Sequence, residues 1–146
     1  MNGKALVCSR FKEGFSCSQA VFSAYAEQLG LDRETALKIS GAFGGGMGRM
    51  AQTCGAVTGA FMVIGLKYGA IDAEDKETKE KAYALVREFA DRFKSRHGSI
   101  ACQDLLGCNV SKPEGLKVAR EQKLFETICP RLVKDAAEIL EEMLAE

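Results

Sequence analysis

The feature that most restricts the fold is a segment, residues 53–68, that is apolar on nearly every side. A helix of this kind has no polar face to turn toward water, so it belongs at the centre of a helical bundle. Gly55 and Gly59, each followed by an alanine, form a stripe of small residues that lets a neighbouring backbone come close. The segment is shorter than the ~20 apolar residues needed to cross a bilayer. It therefore predicts a buried central helix in a bundle.

The rest of the chain repeats apolar residues at helical spacing, and no run of alternating strands is found. Ser16 and Asp32 are good N-cap residues, and glycines follow several of the periodic segments. The sequence predicts a single all-α domain over residues 1–146, a compact bundle of six to eight helices around the central helix at about 53–68. The other predicted helices are a short one before Gly14, then 16–30, 32–40, 74–96, a short one between a Ser99 cap and Gly107, 116–125 and 130–144.

Size and charge narrow the class of protein further. A chain of 146 residues buries about two thirds of its unfolded surface, enough for a core that needs no disulfide bonds. The 20 basic and 20 acidic residues cancel and are interspersed, so neither nucleic acid nor an anionic membrane is expected as a partner. The N-terminal residues lack the apolar run of a signal peptide. We therefore expect a cytoplasmic protein with no membrane span.

Six cysteines, at positions 8, 17, 54, 102, 108 and 129, are many for such a protein. In a reducing compartment they suggest metal binding or redox chemistry more than permanent disulfides. The alternative is that they are small hydrophobic residues of the core. The long intervals between them do not match a zinc ribbon, a CxxC pair or a local iron–sulfur motif. A site shared by several of them must therefore be assembled by the fold.

Four of the six cysteines are predicted at helix N-termini: Cys17, Cys54, Cys102 and Cys129. Cys129 precedes Pro130, which favours the first helical position, so Cys129 is itself an N-cap candidate. Unpaired backbone N–H groups and the helix dipole stabilise an anion there, and thiol pKa values fall from about 8.5 into a range of ~3.5–7.5. We therefore expect reactive thiolates at these positions, with Cys54 as the first candidate for the attacking group.

The sequence CGAVTG at residues 54–59 matches the CGAxxG signature of the C_GCAxxG_C_C family. The other family cysteines match Cys17, Cys102 and Cys129, and the resemblance extends over roughly residues 13–142. It implies a redox role for these four cysteines, although the family has no assigned substrate. The family is also similar to part of the split-Soret cytochrome c proteins. The chain has no CxxCH motif, so no c-type haem is expected.

Cys8 and Cys108 lie outside the family pattern and are candidates for bystanders. The only histidine, His97, is predicted to end the long helix 74–96, where a partner of the helix dipole is a simpler role than a base for a Cys–His pair.

Five glycines between residues 41 and 48 form what we call the glycine-rich segment, which is expected to be a loop or a strongly distorted helix. No strand precedes it and it lacks a Walker A ending, so nucleotide binding is not predicted. Its backbone is expected to pack beside Cys54 or to offer N–H groups to a thiolate, a sulfide or a small anion. Arg49 either adds positive charge near the thiols or is an ordinary solvated arginine.

The leading hypothesis is a thiol-based redox protein, in which one of the four cysteines attacks as a thiolate and a second forms a disulfide with it. Such a protein could be a thiol–disulfide oxidoreductase, and four cysteines allow three pairings. The alternative is a metal or iron–sulfur protein in which Cys17, Cys54, Cys102 and Cys129 bind zinc or a cluster. A third reading is an interaction module with structural thiols. A small-molecule or protein redox partner is expected but not identified, and a homodimer is left open.

Overall fold

Helices make up the regular structure of the chain. The computed structural model describes residues 2–144, and within this range it has no β-strand, only an isolated antiparallel bridge between Thr53 and Ala101. Eight helices of at least five residues and one single-turn helix are present, which confirms the predicted all-α fold. The elements are α1 Gly3–Lys12, α2 Cys17–Gln28, α3 Arg33–Ser40, α4 Gly55–Tyr68, α5 Lys76–His97, α6 Cys102–Leu106, α7 Pro113–Glu121, the single turn α8 Leu124–Thr127 and α9 Cys129–Leu144.

The central position of α4 is confirmed. Val57, Ala60, Val63 and Ile64 on this helix are fully buried, and α2, α5 and α9 pack against it. This burial explains why the segment can be apolar on nearly every side. In the described part of the chain, no helix is long and apolar enough to cross a membrane.

The small residues of α4 are used for close contact with α2. A β-carbon added at Gly59 would lie 2.9 Å from the carbonyl oxygen of Ser18, and one added at Gly55 would lie 3.0 Å from the Ser18 nitrogen and 3.2 Å from Cβ of Cys17. Only glycine allows backbones to approach this closely. The expected close helix contact therefore lies within the chain, and it brings the N-terminus of α2 against the N-terminus of α4.

Local capping was predicted correctly at two helices and wrongly at a third. Ser16 caps α2 in a capping box, and Asp32 caps α3. The predicted cap of α6, Ser99, is not its N-cap; Ala101 is, and the Ser99 hydroxyl accepts a hydrogen bond from the Ala101 N–H. The helix starts later because the backbone on either side of Ala101 is first engaged by hydrogen bonds to residues 52–54.

The glycine-rich segment and the residues after it form a left-handed turn. All residues from Gly45 to Arg49 have φ between +59° and +74°, and Ala51 also has a positive φ. Glycine adopts this conformation freely, whereas Met47, Arg49 and Ala51 each lose roughly 1–2 kcal/mol in it. The predicted break in the helical pattern is thus confirmed, and tertiary packing must compensate for the strain of the non-glycine residues.

Candidate functional site

The four cysteines matched by the family signature line a single open cavity of about 760 Å³, which we call the cysteine cavity: Cys17, Cys54, Cys102 and Cys129. Three of them are nearly buried, with exposed fractions of 4–7% for Cys54, Cys102 and Cys129. No disulfide joins the described cysteines. The walls come from the N-termini of α2, α4, α6 and α9 together with the glycine-rich segment. The fold therefore gathers residues that are far apart in the sequence.

Cys54 and Cys102 are brought together by the bridge between Thr53 and Ala101. The Cys54 N–H donates to the Ile100 carbonyl at 2.8 Å, and the Cys102 N–H donates to the Gln52 carbonyl at 2.6 Å. In this antiparallel pattern Cys54 and Cys102 are diagonal neighbours, and the alternation of side chains puts them on the same face. That face borders the cysteine cavity. Cys54 is the N-cap of α4 and Cys102 is the first residue of α6.

Cys17 and Cys129 line the same cavity, and each shifts the pKa of the other. Cys17 is the first residue of α2, and Cys129 is the first residue of α9 rather than its predicted N-cap, because α9 follows α8 with only Ile128 between them. A hydrogen bond between the two side chains raises the pKa of Cys17 well above its usual value, and burial and the other thiols add to this shift. The same hydrogen bond lowers the pKa of Cys129, against burial and the nearby carboxylate of Glu126.

The expectation that all four thiols have depressed pKa values is wrong for three of them. Burial raises the pKa of Cys54 to about 12, although the backbone N–H groups of Ala56 and Val57 act in the opposite direction. Burial likewise raises the pKa of Cys102 to about 11, with a further contribution from Cys129. Desolvation disfavours a thiolate more than a helix N-terminus favours it at these positions. The pKa of Cys129 is lowered by its hydrogen bond with Cys17.

Residues that the sequence patterns did not single out complete the cavity. Arg120 of α7 and Glu126 of α8 line it together with Arg49. The Arg49 side chain is exposed to solvent and also forms part of the cavity wall, so it has both of the roles considered from the sequence. Three phenylalanines add apolar surface: Phe11, Phe15 and Phe125. No local motif marks these residues, and a helical pattern explains each of them equally well. Only the tertiary structure identifies them.

Three residues considered from the sequence lie outside the cavity lining. Cys8 is part of α1, and Cys108 packs against the small apolar cluster that contains Cys102. His97 is the last residue of α5, with its ring 4.7 Å from that of Phe93 and its Nε2 atom 2.8 Å from a carboxylate oxygen of Asp135. These positions fit the bystander reading of the two cysteines and the helix-end reading of His97.

The fit of a metal ion to the four thiols can be judged from their arrangement. Within residues 2–144, no three Cys, His, Asp or Glu side chains are placed so that they could hold one metal ion. Zinc and iron–sulfur centres of the Cys₄ type need four converging thiolates. The four cysteine side chains, as described, do not converge in this way.

The fold and the site together define a small all-α protein with a thiol-lined cavity. The chain belongs to the C_GCAxxG_C_C family, whose model is described as "Putative redox-active protein (C_GCAxxG_C_C)" and matches residues 15–143. No curated protein matches the chain, and no solved structure does. The family match covers nearly the whole chain and includes all four cysteines of the cavity.

Proposed function

We propose that the protein is a thiol–disulfide redox protein whose reactive pair is Cys17 and Cys129. The observation that carries this proposal is that both thiols line the cysteine cavity, and the lowered pKa of Cys129 beside the raised pKa of Cys17 supports it. The thiolate is the form of cysteine that attacks disulfides. The lower pKa therefore makes Cys129 the attacking residue and Cys17 the resolving one. Cys54, the first candidate for the attacking group from the sequence, does not have this role in the proposal, because its pKa of about 12 keeps it protonated at neutral pH.

The reaction follows from this division of roles. The Cys129 thiolate attacks one sulfur of a partner disulfide, forms a mixed disulfide and releases the other partner sulfur as a thiolate, which takes up a proton. Cys17 then loses its proton and attacks the Cys129 sulfur, and the second partner thiol leaves. The protein ends with a Cys17–Cys129 disulfide and the partner with two thiols. Two electrons pass from protein to partner, and the reverse sequence oxidises a dithiol.

Cys54 and Cys102 form a second pair in the same cavity, and both members of this pair are protonated at neutral pH. Their raised pKa values predict slow alkylation and slow exchange at neutral pH. Because they lie on the same face of the bridge, a disulfide between them is the pairing we propose if they oxidise at all. The location we propose is the cytoplasm, where thiols are kept reduced and such pairs cycle instead of remaining bonded.

The proposal is tested by measuring the alkylation rate of each cysteine as a function of pH. Reduced protein is treated with iodoacetamide for short times, and each modified peptide is quantified by mass spectrometry. A Cys8→Ser/Cys108→Ser variant removes the two thiols outside the cavity and serves as the matched background. We expect Cys129 to be modified at a lower pH than Cys17, Cys54 and Cys102. Faster modification of Cys54 than of Cys129 at pH 7 would contradict the assignment.

A second candidate function is metal or cluster binding by the same four cysteines, and the observation in its favour is that all four line one cavity. It requires side chains to move, because no three of them are placed to hold one ion in the described structure. Anaerobic purification followed by elemental analysis and a visible absorption spectrum tests it. One metal centre per chain, lost in each of the four Cys→Ser variants, would replace the dithiol proposal.

A further inference from the structure

The glycine-rich segment, which forms part of the lining of the cysteine cavity, carries backbone N–H groups without acceptors. In the described part of the chain, the N–H groups of Gly44, Gly45 and Gly46 donate to no protein atom, although neighbouring N–H groups such as those of Met47 and Arg49 do. Gly46 is buried, and all three glycines line the cavity. A buried N–H without a partner is rare in proteins and calls for an acceptor. Successive N–H groups at the entrance to a left-handed turn form the kind of concave site that binds anions.

The charged side chains of the cavity point to the same class of ligand. Two of the three that line it are arginines, Arg49 and Arg120, and neither is within ion-pair distance of a described acidic group. The third is Glu126. The protein as a whole carries no net charge, whereas these three side chains leave the cavity with one positive charge while Cys129 is protonated, and they balance the charge of its thiolate. Unpaired guanidinium groups bind carboxylates well, often through two parallel hydrogen bonds.

The size of the cavity favours an organic anion over a small inorganic one as its ligand. Its volume of about 760 Å³ lies within the ~300–1,000 Å³ typical of pockets for small organic ligands. Phe11, Phe15 and Phe125 supply apolar surface that an inorganic ion cannot use. An organic molecule with a negatively charged end uses both the apolar surface and the N–H groups.

We propose that the cysteine cavity binds an anionic low-molecular-weight disulfide, with its carboxylate at the N–H groups of Gly44–Gly46 and Arg49 and its sulfurs at Cys129. This inference rests on the proposed function and names its substrate class. The anionic end anchors the ligand, and the disulfide then lies over the thiol wall of the same cavity. The Cys129 thiolate attacks the ligand disulfide and forms a mixed disulfide, and Cys17 releases the second half. One dithiol protein and one disulfide give one disulfide protein and two small thiols.

The test compares three disulfides that differ in charge: the dianion of 3,3′-dithiodipropionic acid, neutral 2-hydroxyethyl disulfide and cationic cystamine. Reduced protein is mixed with each, and the rate of Cys17–Cys129 disulfide formation is followed by mass spectrometry. Dithiothreitol, which has no binding site, gives the intrinsic reactivity of each probe. After division by that reference, we expect the dianion to react with the protein about tenfold faster than the neutral disulfide, and cystamine to react more slowly than either.

Two variants connect this preference to the proposed anchor. Arg49→Gln removes one charge from the cavity wall, and we expect it to slow the reaction with the dianion about tenfold while changing that with the neutral probe less than twofold. The matched control is Arg87→Gln, on α5, which contributes no residue to the cavity lining and is expected to change neither rate. Circular dichroism of both variants checks that the fold is retained.

The outcomes separate the inference from the function on which it rests. If all three probes form the Cys17–Cys129 disulfide and no charge preference remains after correction, the anion site is wrong and the thiol proposal stands. If no probe oxidises the pair, the thiol proposal fails. The anion site is then tested alone by calorimetric titration of the Cys17→Ser/Cys129→Ser variant with dithiodipropionate. Saturable binding that Arg49→Gln weakens supports the site, and absence of binding overturns it.

Discussion

Two glycine-to-alanine substitutions on the same helix test whether the contact between α2 and α4 has the tightness described above. A β-carbon at Gly59 would lie 2.9 Å from the Ser18 carbonyl oxygen and 3.1 Å from Cβ of Val21, whereas one at Gly65 would have no atom within 4 Å. Alanine is favoured over glycine in a helix by about 1 kcal/mol. Overpacking against a backbone costs roughly 1–3 kcal/mol. Both substitutions therefore gain the stability of alanine in a helix, but only Gly59→Ala places its β-carbon too close to α2.

We expect Gly65→Ala to raise the free energy of unfolding by up to ~1 kcal/mol and Gly59→Ala to lower it by up to about 2 kcal/mol. The difference between the variants is then the cost of the clash, roughly 1–3 kcal/mol. For a chain of this size it corresponds to a separation in Tm of about 2–12 °C. Urea unfolding followed by circular dichroism measures it directly.

One result of this comparison would contradict the close contact between α2 and α4. If Gly59→Ala is as stable as Gly65→Ala, α2 and α4 have room between them, and the close approach that brings Cys17 beside the start of α4 is not a constraint of the fold. A crystal structure of Gly59→Ala that shows α2 displaced would instead support the constraint and show how it relaxes.

Three further predictions concern the thiols and the left-handed turn. Cys17→Ala removes the hydrogen bond to Cys129, so the pKa of Cys129 should rise and its alkylation profile should move to higher pH. The pKa of Cys54 rises from 9.0 to about 12 on folding, so its contribution to stability is present below pH 9 and is lost as the pH rises from 9 toward 12. In Cys54→Ala the free energy of unfolding should therefore fall less steeply over this range, by up to ~1.4 kcal/mol per pH unit. Gly46→Ala should lower the free energy of unfolding by more than about 2 kcal/mol, because the residue has a φ of +74° and its β-carbon would lie 2.6 Å from the Gln52 nitrogen.

The parts of the fold that the sequence predicts are those set by local patterns. The apolar segment 53–68 has only one place in a bundle, and Ser16 with Gln19 carries a complete capping box within four residues. Gly55 and Gly59 indicate close contact because their spacing places them on one side of a helix. These features depend on neighbours in the sequence, so periodicity and capping rules reach them.

The features of the fold and the site that the sequence does not predict depend on contacts between residues far apart in the chain. The bridge between Thr53 and Ala101 aligns Cys54 with Cys102, and nothing near either cysteine in the sequence signals it. The pKa values follow burial, which the whole fold determines, so the helix-terminus argument gave the wrong direction for three thiols. Met47 and Arg49 adopt positive φ values against their own preferences, because the surrounding structure imposes them.

The most direct test of the central claim is to map the first disulfide that forms in the reduced protein. The chain is equilibrated in glutathione buffers of increasing oxidising strength, trapped with iodoacetamide and digested, and each linked peptide pair is quantified. The account predicts that a Cys17–Cys129 bond appears first, while Cys54 and Cys102 are still recovered as alkylated thiols. If a bond between Cys54 and Cys102 forms first, or if Cys8 or Cys108 takes part in the first bond, the assignment of the reactive pair is contradicted.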